Sequence, residues 1–328
     1  MNRPTAVALL GLFLFAGIGA WWLFSGGERR LPAPAPHDDL DLVVSWLDAG
    51  ATDPGRDFLV AAAGGLALAR ASDHTLVGVS VQDGGTRTLA HLDSAAQGLA
   101  FADGTLWATT RRAVVAVPLG GGEPRRVAEL TRPRSIVADG RRVCVVDADP
   151  GTPGLTAASV LICMSADSSG RRVIGRSGGE IAGIALDDGT VYWVDRLEGN
   201  VIAEGKDGEE ARILARDRGL PGPLVVSGDA IYWVEKRSES IWRMPKSGGT
   251  PGRVTQDFAG FANLLVAPRG IFWTNEAAVD SEFRVLTVSA AGESTAASSE
   301  VDGIDALAWS SGQLYWARGG TVSRVTGP

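Results

Sequence analysis

Seven polar residues recur two positions after a repeated hydrophobic anchor: Arg70, Thr109, Asp147, Asp195, Glu235, Asn275 and Arg318. If the anchors mark equivalent points of equivalent units, these side chains form one ring, with acids on three adjacent units. Arg196, Lys236, Arg237, Glu239, Glu276 and Asp280 stand close by in sequence. Such a ring is a candidate binding face for a polar ligand or a protein surface, and its carboxylates are the oxygen ligands a hard cation would need. The plainer reading gives the same residues strand-end capping and local ion pairs, and that reading is favoured. No D-x-D-x-D loop or dense carboxylate cluster accompanies the ring, so no metal and no cofactor is expected.

Catalysis has thin support. His74 and His91 are the only histidines outside the N-terminal region, and His74, in the loop ASDH, has no evident partner. There is no G-x-S-x-G, H-E-x-x-H or Walker-type loop. The first residues of the segments expected to line a central channel are small or mild: Gly98, Ser135, Gly183, Pro223 and Asn263, with Asp305 the exception. A non-enzymatic binding or scaffold module is therefore expected. The alternative is a lyase or hydrolase with polar groups at the channel mouth.

The elements that would position the ring are short strands. VYWVDR (191–196), IYWVEK (231–236), IFWTNE (271–276) and LYWARG (314–319) repeat one phrase, and TLWATT (105–110) is a weaker copy. Aligned on it, the anchors are Leu68, Trp107, Val145, Trp193, Trp233, Trp273 and Trp316, spaced by 39, 38, 48, 40, 40 and 43 residues. Segments of this kind, rich in Val, Ile, Leu, Trp and Tyr and punctuated by Gly, Asp and Ser, read as strands, about four to a unit. A period of about 40 residues with four strands is the signature of propeller blades. The expected fold is an all-β, seven-bladed β-propeller, with six or eight blades as alternatives. One four-stranded unit cannot bury both faces, so a large aromatic in each second strand fills the gap to its neighbour. The last unit lacks a fourth strand, and residues 41–47 are expected to supply it, closing the ring. The insertion at 149–157 explains the longest spacing.

The repeat resembles the YWTD-type β-propeller repeat and similar Tyr-Trp repeats of bacterial secreted or anchored proteins. The residues that carry it are Tyr192-Trp193-Val194-Asp195, Tyr232-Trp233-Val234-Glu235, Phe272-Trp273-Thr274-Asn275 and Tyr315-Trp316-Ala317-Arg318. It covers most of residues 100–328. YWTD-type propellers usually have six blades, against the seven units counted from spacing. The resemblance implies a binding platform or scaffold.

Cys144 takes the place of the repeat's Tyr, and Cys163 aligns with Met244. Simple antiparallel pairing sets the two cysteines opposite each other, close enough for a disulfide. The alternative is two buried thiols filling an aromatic's volume.

Residues 5–24 form an uncharged apolar run long enough to span a bilayer as a helix. It reads as an N-terminal transmembrane anchor (1–25), with a cleaved secretory signal as the alternative. A Pro-rich linker containing His37 follows at 26–40, and the propeller domain spans 41–328. The domain is expected outside the cytoplasm of a bacterium, tethered by a single pass or secreted after cleavage. The formal net charge of −7 argues against nucleic acid. The partners expected are an envelope protein, a glycan or a small ligand.

Overall fold

A computed structural model gives the fold. It describes residues 44–45, 56–151, 158–187, 189–205, 207–255, 261–275, 282–288, 294–302 and 304–325. The expected membrane segment, the linker with His37 and most of 41–47 lie outside the described residues. No helix among the described residues is long and apolar enough to cross a membrane.

Short segments with alternating apolar side chains pair antiparallel into sheets. Among the described residues there are seven, here numbered in chain order: 58–91, 98–129, 136–177, 181–215, 221–255, 261–302 and 306–324. In each, chain neighbours are sheet neighbours. Their first strands contact one another in turn, and Ala306–Ser310 lies against Phe58–Ala62, so the ring closes as an all-β propeller.

The expectation of seven complete blades is corrected. Among the described residues six sheets hold four strands or more, and the seventh holds three. Of residues 41–47, expected to complete it, only Val44 and Ser45 are described, and they do not pair with sheet seven. Val44 and Ser45 pair instead with Leu264 and Asn263, on the inner edge of sheet six. They also neighbour the first strands of sheets one, five and seven, which puts them at the centre of the ring. An inner edge facing the channel gains more from a partner strand than an outer edge hydrated by bulk water.

The recurrent Tyr-Trp pair follows from the two-residue period of a strand, which sends successive side chains to opposite faces. Trp193 packs back against Cys144, Leu161, Cys163 and Ile174 of sheet three. Tyr192 points forward, against Leu224, Val226 and Ile231 of sheet five. Trp233 and Tyr232 repeat the arrangement one sheet later, and Trp233, Trp273 and Tyr232 are all fully buried. The weak copy is one residue out of step. Trp107 packs forward, with Val143 and Val145 of sheet three, whereas Leu106 and Ala108 face back toward sheet one.

Cys144 and Cys163 are register partners on adjacent strands, and their sulfurs are 1.97 Å apart, joined as a disulfide. Both are buried at the contact between sheets three and four.

No backbone ladder joins sheet seven to sheet one. Among the described residues, side chains tie that seam instead. The Ser310 hydroxyl donates to the Gly65 carbonyl at 3.2 Å. Asp57 is buried and accepts from the Ala71 N–H at 2.9 Å and from the Gly320 N–H across the seam. Asp57→Ala strands both donors, so it should lower unfolding free energy by about 2–3 kcal/mol in urea denaturation. A loss no larger than that of an exposed Asp→Ala control would refute this role.

Candidate functional site

Six of the seven ring residues have described side chains, and they do not converge on one ligand. Asp147 is buried and turned into its own neighbourhood, accepting from the backbone N–H groups of Thr131 (3.0 Å), Arg132 (2.7 Å) and Ala148 (2.9 Å). Asp195 accepts from the Glu198 N–H at 3.0 Å. Glu235 accepts from the Trp233 indole at 3.1 Å, the Ser238 hydroxyl at 3.2 Å and the Arg218 guanidinium. The Thr109 hydroxyl donates to the Arg134 carbonyl. Arg70 pairs with Asp73 at 2.6 Å, and Arg318 is exposed. Asn275 ends its strand opposite Phe261; its side chain lies outside the described residues, as do Glu276 and Asp280. Buried carboxylates are stable where several N–H groups point at them, so here the ring acids act as loop fasteners.

What they fasten is more informative. Asp147 and Thr109 hold the loop that carries Arg132 and Arg134 to the start of the first strand of sheet three. A third bond, from the Arg134 N–H to the Val146 carbonyl at 2.8 Å, completes the hold. In the next sheet, Glu180 occupies the corresponding place and accepts from the Arg196 guanidinium at 2.8 Å. The two side chains are only 12% and 15% exposed. Arg134 is half-buried, and burial, then the neighbouring Arg132 charge, lower its affinity for the proton, while Glu180 opposes them. Arg132, Arg134, Glu180 and Arg196 thus gather at the channel mouth between sheets three and four.

One junction further round, Glu235 and Arg218 lock the loop at 216–220. The Arg218 guanidinium lies over the Trp242 ring at 4.2 Å and over the Trp233 ring at 5.7 Å. The Arg218 N–H donates to the Gly199 carbonyl at 2.8 Å, tying this loop to the turn at 195–200. The two loops expose Leu197 (66%) and Leu220 (42%). Leu220 holds a left-handed backbone, with φ at 54°, a conformation that costs energy in a non-glycine residue.

The sequence reading missed Arg132, Arg134, Glu180, Leu197, Arg218 and Leu220. Arg134, Glu180 and Leu220 carried a legible signal, since each stands just before a channel-lining strand. The histidines contribute little here: His74 sits in a turn at φ 57°, and His91 Nδ1 lies 3.2 Å from the Thr75 hydroxyl. Among the described residues no three His, Cys, Asp or Glu side chains are grouped to hold a metal.

No protein-family model matches the chain, and no curated protein matches it. Solved structures do, and they share its fold. A streptogramin B lyase structure aligns with a TM-score of 0.66 at 12% identity, over 88% of this chain and 98% of that one. An oligogalacturonate lyase in complex with manganese gives 0.64 at 13%, over 84% and 86%. A nidogen/laminin complex gives 0.53 at 21%, over 73% and 91%. Two are named as enzymes and one as a protein complex, so the shared propeller does not choose between catalysis and binding.

One buried acid lies off this face. Glu204 is 7% exposed between sheets three and four, opposite Val191, where the equivalent positions carry Met164 and Met244. Burial pushes its carboxyl above the usual range, the nearby Trp193 indole opposing this only in part. The neutral acid therefore contributes stability that is complete below the unfolded value and is lost as pH rises through the folded one. Glu204→Met should stabilise the fold at neutral pH by about 1–3 kcal/mol. The gain should shrink on acidification toward about pH 4 in thermal melts. A gain independent of pH would sink this account.

Proposed function

We propose that this protein is a membrane-tethered, extracytoplasmic propeller of the bacterial envelope that works by binding rather than by catalysis. The observation that carries the reading is the disposition of the acids. Asp147, Asp195 and Glu235 are committed to loop N–H groups or to Arg218. What the same face offers outward is the leucine pair of sheets four and five. Two exposed leucines on mutually fastened loops, one of them in a strained conformation, suit a protein contact better than a solvated surface. The apolar run at 5–24 supports the tether, and the Cys144–Cys163 disulfide supports an oxidising compartment. Peptide mapping of native protein without reductant should recover the two cysteines linked. Two free thiols would count against the compartment.

A propeller enzyme, a lyase or hydrolase, has one observation in its favour: charged side chains do gather at the channel mouth. The two readings separate in one experiment. Full-length protein should retain an envelope protein through washing, and Leu197→Ser with Leu220→Ser should cut recovery at least about tenfold, well beyond the effect of a rim charge. Recovery unchanged by the double substitution, together with turnover of a small substrate, would replace the binding reading with the enzymatic one.

A further inference from the structure

We propose that residues 29–32 of the chain, RRLP, dock on the open edge of sheet seven as its fourth strand and set Leu31 into the seam against sheet one. The inference goes beyond the binding reading above and stands on different residues from the leucine pair.

Five other sheets show what such an edge is missing. Their fourth strands contain RTLA (87–90), RRVA (125–128), RVIG (172–175), RILA (212–215) and GRVT (252–255). In each, the ladder to the third strand skips one residue, and the bulged residue is the aliphatic one: Leu89, Val127, Ile174, Leu214 and Val254. A bulge re-aims its side chain, here into the gap toward the next sheet. Leu89 shares a core with Val117 of sheet two, Val127 with Met164 of sheet three, and Leu214 with Met244 of sheet five. The leading arginines cross the same gap to carbonyls of the next sheet's turn: Arg87 to Leu119 and Gly120, Arg125 to Ala166, and Arg172 to Asp207.

Sheet seven has no such strand among the described residues, and the seam records it. Val79 of sheet one holds the place of Val117, Met164, Glu204 and Met244 in their sheets. Val322 of sheet seven holds that of Leu76, Val114, Leu161, Val201 and Ile241. The counterparts are all buried, whereas Val79 and Val322 are only partly covered. An unpaired strand edge beside uncovered valines favours an added strand that brings an aliphatic side chain. The chain holds a further copy of that strand: GGERRLP (26–32) matches GGEPRRVA (121–128) of sheet two once Pro124 is passed over. Pro32 stands where the other sheets have Ala, Gly or Thr, and an outer strand, paired on one side only, tolerates proline. The reach is sufficient. Val44 lies on the inner edge of sheet six, beside the first strand of sheet seven. Residues 33–43 extend up to about 36 Å, against about 15 Å across a four-stranded sheet. Residues 25–28 alone then separate sheet seven from the apolar run at 5–24, so on the tethered reading the propeller stands on the bilayer by this edge.

The test uses the full-length chain in detergent, carrying Leu31→Cys together with Val79→Cys. Mild oxidation and peptide mapping should join the two new thiols within one chain. The yield should be at least about tenfold that of a control pairing Leu31→Cys with Ile213→Cys, an exposed site on sheet four. Mixing isotope-labelled and unlabelled chains separates a link within one chain from a link between copies. In thermal melts Leu31→Asp should lower the midpoint by about 3–6 °C and Leu31→Val by less than half of that, while His37→Asp leaves it unchanged. Equal linkage in the two double variants, linkage only between copies, or a midpoint unmoved by Leu31→Asp would each overturn the proposal. Protein that forms the link between positions 31 and 79 yet stays out of the membrane fraction sinks the tether alone. A missing link, with partner recovery still lost on removal of the leucine pair, sinks the docked strand alone.

Discussion

Every sheet of this propeller depends on its neighbours to cover what it cannot cover itself. A twisted four-stranded sheet has two apolar faces and no helix to pack on either. The ring solves this by making each gap between sheets a separate small core. Trp193 and Tyr192 show how one dipeptide serves two of those cores at once, the indole turned back and the phenol turned forward. Where aromatic volume is missing, other devices fill the gap, and the buried Cys144–Cys163 pair stands in the forward-facing place that Tyr192 and Tyr232 hold elsewhere.

The polar side chains obey the same constraint from the other direction. Loops crossing from one sheet to the next carry N–H groups into partly buried surroundings, where an unmet donor costs as much as a lost hydrogen bond. Asp57 and Asp147 meet that demand, and Glu235 does the same for the side chains of Trp233, Ser238 and Arg218. This division of labour is why the conspicuous acids are structural. The candidate chemistry passes to residues one loop away, which the acids hold still. Arg134 owes its fixed position to Asp147 and Thr109, and Leu220 owes its fixed position to Glu235 acting through Arg218.

Much of the strand framework was legible because strand periodicity and turn glycines are local signals. The anchors Trp193, Trp233 and Trp273 each oppose an apolar residue of a channel-lining strand, as their spacing implies. Register failed at Trp107, where an aromatic in the forward-facing position was aligned with aromatics in the backward-facing one. A slip of one residue changes the face but barely changes the spacing. The place of Val44 and Ser45 was not legible, since two residues of strand carry no record of which edge they will meet. The candidate site was half legible. The acids Asp147, Asp195 and Glu235 could be located from the repeat, but a repeat alignment emphasises what recurs, and Arg134 and Leu220 do not recur.

The seam between sheets seven and one has a topological meaning. At each of the other junctions the chain itself passes from one sheet to the next, so those sheets cannot drift apart without breaking or unfolding a loop. At the seam, among the described residues, packing and the contacts of Asp57, Asp305 and Ser310 do that work. The molecule is thus a bracelet with one clasp.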